Sequence, residues 1–139
     1  MEVKIVGEEE KCAALALRVE VFVKEQNVPP ELETDDEDSC AVHVVAQDDT
    51  GRVIGCARIL MSQNEAHIGR LAVKKECRGK GVGSAICRFI IDRCREKGCT
   101  DIWLDSQLHA RGFYENLGFE SSGDVFTEAG ICHIRMSLR

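Results

Sequence analysis

At 139 residues the chain is long enough for one hydrophobic core and too short for two, so residues 1–139 are read as a single domain. With 44% apolar and 30% charged residues its balance is that of a soluble globular protein; no apolar run approaches the roughly 20 residues of a membrane span, and Met1-Glu2-Val3-Lys4 opens no signal-peptide core, so the expected location is cytoplasmic. The net charge of −6 argues against general affinity for nucleic acid, which is bound by neutralising phosphates with Lys and Arg.

Val3 to Val6 reads as a short strand. From Glu8 to Gln26 the apolar residues Cys12, Leu15, Val19, Phe22 and Val23 recur at helical spacing, and Asn27-Val28-Pro29-Pro30 ends that helix because proline cannot continue it. Six of the eight residues from Glu31 to Asp38 are carboxylates. Such a run reads as a solvated loop, or else as an acidic rim that draws in a cationic substrate. Ala41 to Ala46 and Val53 to Leu60 form a hairpin across the Asp- and Gly-bearing turn from Gln47 to Arg52, and Ala66 to Val73 continues the meander. A helix is expected from Ser84 to Lys97, ended by Gly98, with Ile86, Phe89, Ile90 and Cys94 on one face. Asp101 to Asp105 is a strand and His109 to Leu117 a short helix. Phe119 to Phe126 and Ile131 to Leu138 close the chain as a hairpin. A meander followed by strands around a helix implies an α/β fold of the mixed α+β kind, with a mainly antiparallel sheet of about seven strands flanked by helices.

The segment Arg78-Gly79-Lys80-Gly81-Val82-Gly83 lies between a strand and a helix. Glycines let the backbone turn sharply, and the helix that begins there adds unpaired N–H groups and the positive end of its dipole, so the unit is an anion site suited to phosphate. A Walker A loop is absent, since no Gly-Lys-Ser/Thr sequence follows the glycines. A dinucleotide fingerprint fails too: Gly79-x-Gly81-x-Gly83 is one residue too tight, and the meander upstream lacks repeated parallel units. The eight cysteines contain no C-x-x-C pair, which supports neither zinc nor disulfides and makes buried reduced thiols the expectation; Cys77 beside Arg78 is the one candidate for a reactive thiol.

The loop meets in full the R/Q-x-x-G-x-G/A pattern of the GNAT superfamily of acyl-CoA-dependent N-acetyltransferases, and Gln107-x-x-Ala110-x-x-x-Tyr114-x-x-x-Gly118-Phe119 resembles that family's N-x-x-A-x-x-x-Y-x-x-x-G-F segment, with Gln107 where Asn is commoner. Residues 41–138 carry the resemblance, and Val21 to Pro29 looks like the N-terminal part of a small single-domain branch. It implies a GNAT-like sheet and acetyl-CoA, or another acyl-CoA, as co-substrate, with no metal. The pyrophosphate would rest on the amides of Gly79, Lys80, Gly81, Val82, Gly83 and Ser84, with Arg78 and Lys80 adding charge nearby. The pantetheine arm would pair with Leu71, Ala72 and Val73 where two strands splay, and Gln107 and Ala110 would border the same site.

Transfer of an acetyl group to an amine needs a neutral nucleophile, donors for the developing oxyanion and a proton for the departing thiolate. The resemblance gives the last role to Tyr114, the chain's single tyrosine. Backbone N–H groups near Leu71 to Val73 are the expected oxyanion donors. His67 is the first candidate for general base, with His43 and Glu65 behind it. A small primary amine, cationic and drawn by Glu31 to Asp38, is the expected acceptor. A protein lysine or N-terminal amine is the other enzymatic reading, and an acyl-CoA-binding or regulatory module the non-enzymatic one. Exposed strand edges leave room for a homodimer.

Overall fold

The period-two patterns fold as expected into one sheet. The computed structural model describes residues 1–138, and among these the strands are β1 (Glu2–Ile5), β2 (Val42–Gln47), β3 (Val53–Ser62), β4 (Glu65–Val73), β5 (Asp101–Gln107), β6 (Glu120–Glu128) and β7 (Ile131–Leu138). They run in the order β1-β2-β3-β4-β5-β7-β6, seven strands in all. Only β4 and β5 are parallel neighbours; the other pairs are antiparallel. The helices are α1 (Glu8–Arg18), a π-helical continuation (Val19–Glu25), α2 (Pro30–Glu33), α3 (Val82–Glu96) and α4 (Arg111–Glu115).

Successive side chains of a strand point to opposite faces, so β2 sends Val44 and Ala46 one way and Val45 the other. The first face packs Ile86, Ile90 and Cys94 of α3 with Val44, Ile59 and Ile68. The second packs Ala14, Leu17 and Val21 against Val45, Cys56 and Ala72. Gly55 in β3 lets α3 approach: a Cβ there would lie 2.8 Å from both Val82 Cγ1 and Ile86 Cδ1. Burial of these side chains, about 1.5–3 kcal/mol for each large one, fixes the position of both ends of the cleft described below.

The structure corrects several expectations. The single helix over 8–26 divides at Val19 into an α-helix and a π-helix, the latter closing with Gln26 N–H bonded back to Val21 C=O (3.1 Å) in the i→i−5 pattern. Its buried stripe is Ala14, Leu17, Arg18 and Val21, whereas Cys12 and Val19 are exposed, because a small alanine and a paired arginine serve as inward positions. Helix α3 starts at Val82, two residues before the expected Ser84, and β5 runs on to Gln107 because antiparallel pairing with β7 continues as far as His133. The expected helix over 109–117 is a 3₁₀ turn, Leu108–Ala110, followed by α4. Of the thiols, Cys56, Cys87, Cys94 and Cys99 are buried as expected, while Cys12, Cys40 and Cys132 are exposed.

Candidate active site

β4 and β5 pair only from Glu65–Asp101 to Ile68–Leu104 and then separate. Each is held on its outer side, β4 by β3 as far as Val73–Gly55 and β5 by β7 as far as Gln107–His133, so the gap between them is built into the sheet. β4 also carries an extra residue: Arg58 pairs with Gly69 and Cys56 with Ala72, two steps along β3 against three along β4. Such a bulge leaves a backbone group outside the ladder and turns the strand. Arg70 occupies it with φ +55°, a left-handed conformation that a side chain makes costly.

A cleft of about 880 Å³ follows this gap. Its walls include His67, Leu71 to Val73, Arg78, Gly79, Gly81 to Ser84, Gln107, Ala110 and Tyr114, so of the residues expected to hold the donor all but one converge there. Lys80 is exposed and does not line it. At the mouth Gly81 caps α3 with φ +84°, and the first bond of that helix runs from Ala85 N–H to Gly81 C=O (3.0 Å). The N–H groups of Val82, Gly83 and Ser84 therefore have no acceptor within the helix and are available to an anion. This backbone fits a pyrophosphate. Arg78, expected to add free charge, is instead engaged: both terminal nitrogens donate to the Glu25 carboxylate at 2.9 Å and Nε donates to Val73 C=O at 3.0 Å.

Deeper in, Tyr114 is buried between Phe113 and Phe119, edge-on to both. Burial pushes its phenol well above the usual range, and the nearby Cys87 adds to the shift, so at neutral pH the hydroxyl keeps its proton. His67 stacks on Trp103 with ring centroids 3.8 Å apart, and Arg135 covers the far face of that indole region at 4.1 Å. Burial lowers the His67 pKa below 6.5; Asp105 works against that shift and Arg58 with it. His43 is buried with Nε2 donating to Asp38 C=O, and neither it nor Glu65 reaches the cleft. At the end of β5, Gln107 donates to Gln26 Oε1 (2.7 Å) and accepts from His109 Nε2 (2.7 Å). Glu25 and Gln26, at the end of the π-helix, thus tie down both arms of the cleft. Sequence reasoning gave neither a role; the proline stop just beyond them was the available signal that a structured exit begins there.

The acidic run is solvated only in part: Glu31, Asp36 and Glu37 are exposed, whereas the other three carboxylates are tied to arginines. Glu33 and Asp38 are buried, Arg18 binds both, Arg58 joins Asp38 (3.0 Å) to Asp35 (2.6 Å), and Arg70 reaches Asp35 (3.4 Å). Burial alone would raise the Asp38 carboxyl, but hydrogen bonds from Arg18, Asp35 N–H and Arg58 hold it far below its ordinary value. Asp35 is lowered chiefly by Arg58. Glu37 remains largely free, its side chain 63% exposed, and it lines the cleft with Asp105 and Glu128.

A family model described as an acetyltransferase (GNAT) domain matches residues 5–139. YjcF of Bacillus subtilis (strain 168), described as an uncharacterized N-acetyltransferase, is 35% identical over 131 residues, 94% of this chain and 93% of its own. The crystal structure of Escherichia coli ElaA superposes with a TM-score of 0.89 at 28% identity, covering 100% of both chains. An aminoglycoside 6′-N-acetyltransferase crystallised with coenzyme A shares the fold, with a TM-score of 0.76 at 15% identity over 99% of this chain and 96% of its own.

Proposed function

The chain belongs to the GNAT acetyltransferase family and is an acetyl-CoA-dependent acyltransferase; from that premise we propose that it acetylates the primary amine of a small molecule by direct transfer, with Tyr114 as general acid. The observation that carries the proposal is the opening between β4 and β5, which joins free amide N–H groups at the start of α3 to Tyr114 and His67 in one cleft. Acetyl-CoA supplies a thioester carbonyl and a thiolate leaving group. Val82 to Ser84 receive the pyrophosphate, Leu71 to Val73 pair with the arm, and the β4 N–H groups at the bulge face the oxygen on which negative charge develops. Amides fixed by the sheet need no reorganisation as that charge appears, the property that makes such donors effective.

Tyr114, kept protonated by its apolar surroundings, donates to the departing sulfur. His67, kept neutral by burial, accepts the proton of the amine; of the three bases considered it is the one that lines the cleft. The acceptor is cationic in this reading. With Glu33, Asp35 and Asp38 neutralised by arginines, and Asp105 paired with Arg135 (3.0 Å), its attraction falls to Glu37, aided by Glu128. Purified protein incubated with acetyl-CoA and a panel of small amines and peptides, with free thiol followed, tests this reading. Thiol release with small cationic amines supports it. Preference for peptides transfers the reaction to protein acceptors, and donor binding without any thiol release removes the enzyme reading.

A further inference from the structure

The carboxylates and arginines around the acidic run close into a ring. Going round it, Arg70 meets Asp35 (3.4 Å), Asp35 meets Arg58 (2.6 Å), Arg58 meets Asp38 (3.0 Å), Asp38 meets Arg18 (2.7 Å), Arg18 meets Glu33, and Glu33 returns to Arg70 at 4.0 Å. Three positive and three negative groups alternate, so each charge has an opposite charge on either side. Several members have further partners: Arg18 also donates to Glu33 C=O, Glu33 accepts from Thr34 Oγ1, Asp35 from Glu37 N–H and Asp38 from Asp35 N–H. Arg70 differs in that its own backbone is the left-handed residue of the β4 bulge. Its side chain is also gripped by main chain, with Nε donating to Glu33 C=O (3.0 Å) and Nη2 to Leu32 C=O (3.3 Å).

A left-handed arginine is retained only where its surroundings over-determine it. Here the surroundings are the ring, and the bulge leaves β4 backbone groups outside the β3 ladder where β4 has already parted from β5. We propose that Arg70 is a positioning residue for acetyl transfer: the ring holds its side chain, and through its backbone sets the direction of the β4 amide that meets the thioester oxygen. This rests on the donor reading given above and adds a cause for the geometry of that amide. The acidic strap from Glu31 to Asp38 thereby acquires a role in the reaction although Asp35 and Asp38 need not touch the donor.

Isotope-edited infrared spectroscopy with acetyl-CoA labelled at the carbonyl carbon tests the idea without needing the acceptor, since a hydrogen bond to the thioester oxygen lowers its stretching frequency. Donor affinity is measured in parallel by calorimetry. Arg70→Ala suits the purpose because alanine keeps the cost of φ +55° while the anchor is removed. The wild type is expected to show the lowered frequency. Arg70→Ala is expected to bind the donor within about threefold of wild type yet lose that shift, Arg70→Lys to recover part of it, and turnover of the alanine variant to fall about tenfold with KM little changed. Asp35→Asn, at a partly exposed member of the ring, is expected to show the same loss in milder form and serves if the alanine variant does not fold. A full shift in Arg70→Ala, or in Asp35→Asn where that variant stands in, overturns the inference and leaves the donor reading intact. So does loss of donor affinity in proportion to the shift, which would make Arg70 part of the binding surface. A wild type that binds without any shift overturns the amide reading and the inference together, and one that does not bind the donor overturns the donor reading itself.

Discussion

At the scale of single residues, Tyr114 and His67 divide the proton traffic by environment. Both are shifted by burial, and the consequences are opposite in use: the phenol is held in its acidic form and the imidazole in its basic form at neutral pH. Tyr114→Phe keeps the aromatic packing against Phe113 and Phe119 and removes the donor. Turnover is expected to fall by about 10²-fold or more, with coenzyme A affinity in calorimetry unchanged; unaltered turnover would end the general-acid role. For His67, a depressed pKa places the acidic limb of kcat/KM below pH 6.5, since protonation must reach this lower value before the base is lost. His67→Gln should lower turnover and abolish that limb, and a variant that keeps it leaves His67 without a role. Tyr114 and the loop glycines were legible because each lies within a contiguous motif whose spacing alone carries the information. Arg70 was not, because its importance lies in a left-handed φ and in partners more than 30 positions away, at Leu32, Glu33 and Asp35.

Among the elements, the change from α1 to π-helix has the clearest functional consequence. Apolar spacing extends through Val19 to Val23 without a break, so nothing in the periodicity marks where bonds change from i→i−4 to i→i−5. Strands were easier to read than helix boundaries for a related reason: alternation is tested at every residue, whereas a helical stripe tolerates Arg18 turned inward and Cys12 turned outward. The π-helix ends with Glu25 on Arg78 and Gln26 on Gln107, one contact to each arm of the cleft. The pair of Glu25 with Arg78 sets a carboxylate beside a cradle meant for phosphates. Because Nε of Arg78 is separately fixed on Val73 C=O, the guanidinium stays in place when Glu25 is neutralised and its charge becomes available to the ligand. Glu25→Gln is therefore expected to tighten coenzyme A binding by about threefold at low salt, a gain of the size that partly exposed ion pairs carry, and to steepen its salt dependence. Titration calorimetry at two ionic strengths decides it. Weaker binding would mean that Glu25 braces the loop and does not compete with the ligand.

For the molecule as a whole, the division of labour is between a sheet splayed by its own outer strands and covered by apolar helices, and a polar strap held on by charge. The apolar part was readable: the order of strands and helices, and the cover on both faces, follow from patterns that a hydrophobic core enforces at every turn. The strap was half misread because six carboxylates within eight residues look like solvent-seeking charge until Arg18, Arg58 and Arg70, drawn from three other elements, are brought beside Glu33, Asp35 and Asp38. That arrangement has a global signature. Asp35 and Asp38 both titrate below the ordinary 3.8 in the folded protein, so folding releases protons from them and their contribution is complete above the unfolded value. As pH falls below about 4 the unfolded chain takes up those protons first, and the stabilisation drains away toward the lower folded values. Asp38→Asn leaves Arg18 and Arg58 each short of a carboxylate in a buried setting, and the expected cost at neutral pH is about 3 kcal/mol. The variant should also lose much of the acid slope, so that its unfolding free energy in urea approaches the wild-type value between pH 4 and pH 2.5, a window set by the usual carboxylate range. Curves that stay parallel through that window would show that Asp38 is not ionised against its arginines in the folded state. The ring would then owe its cohesion to hydrogen bonds alone.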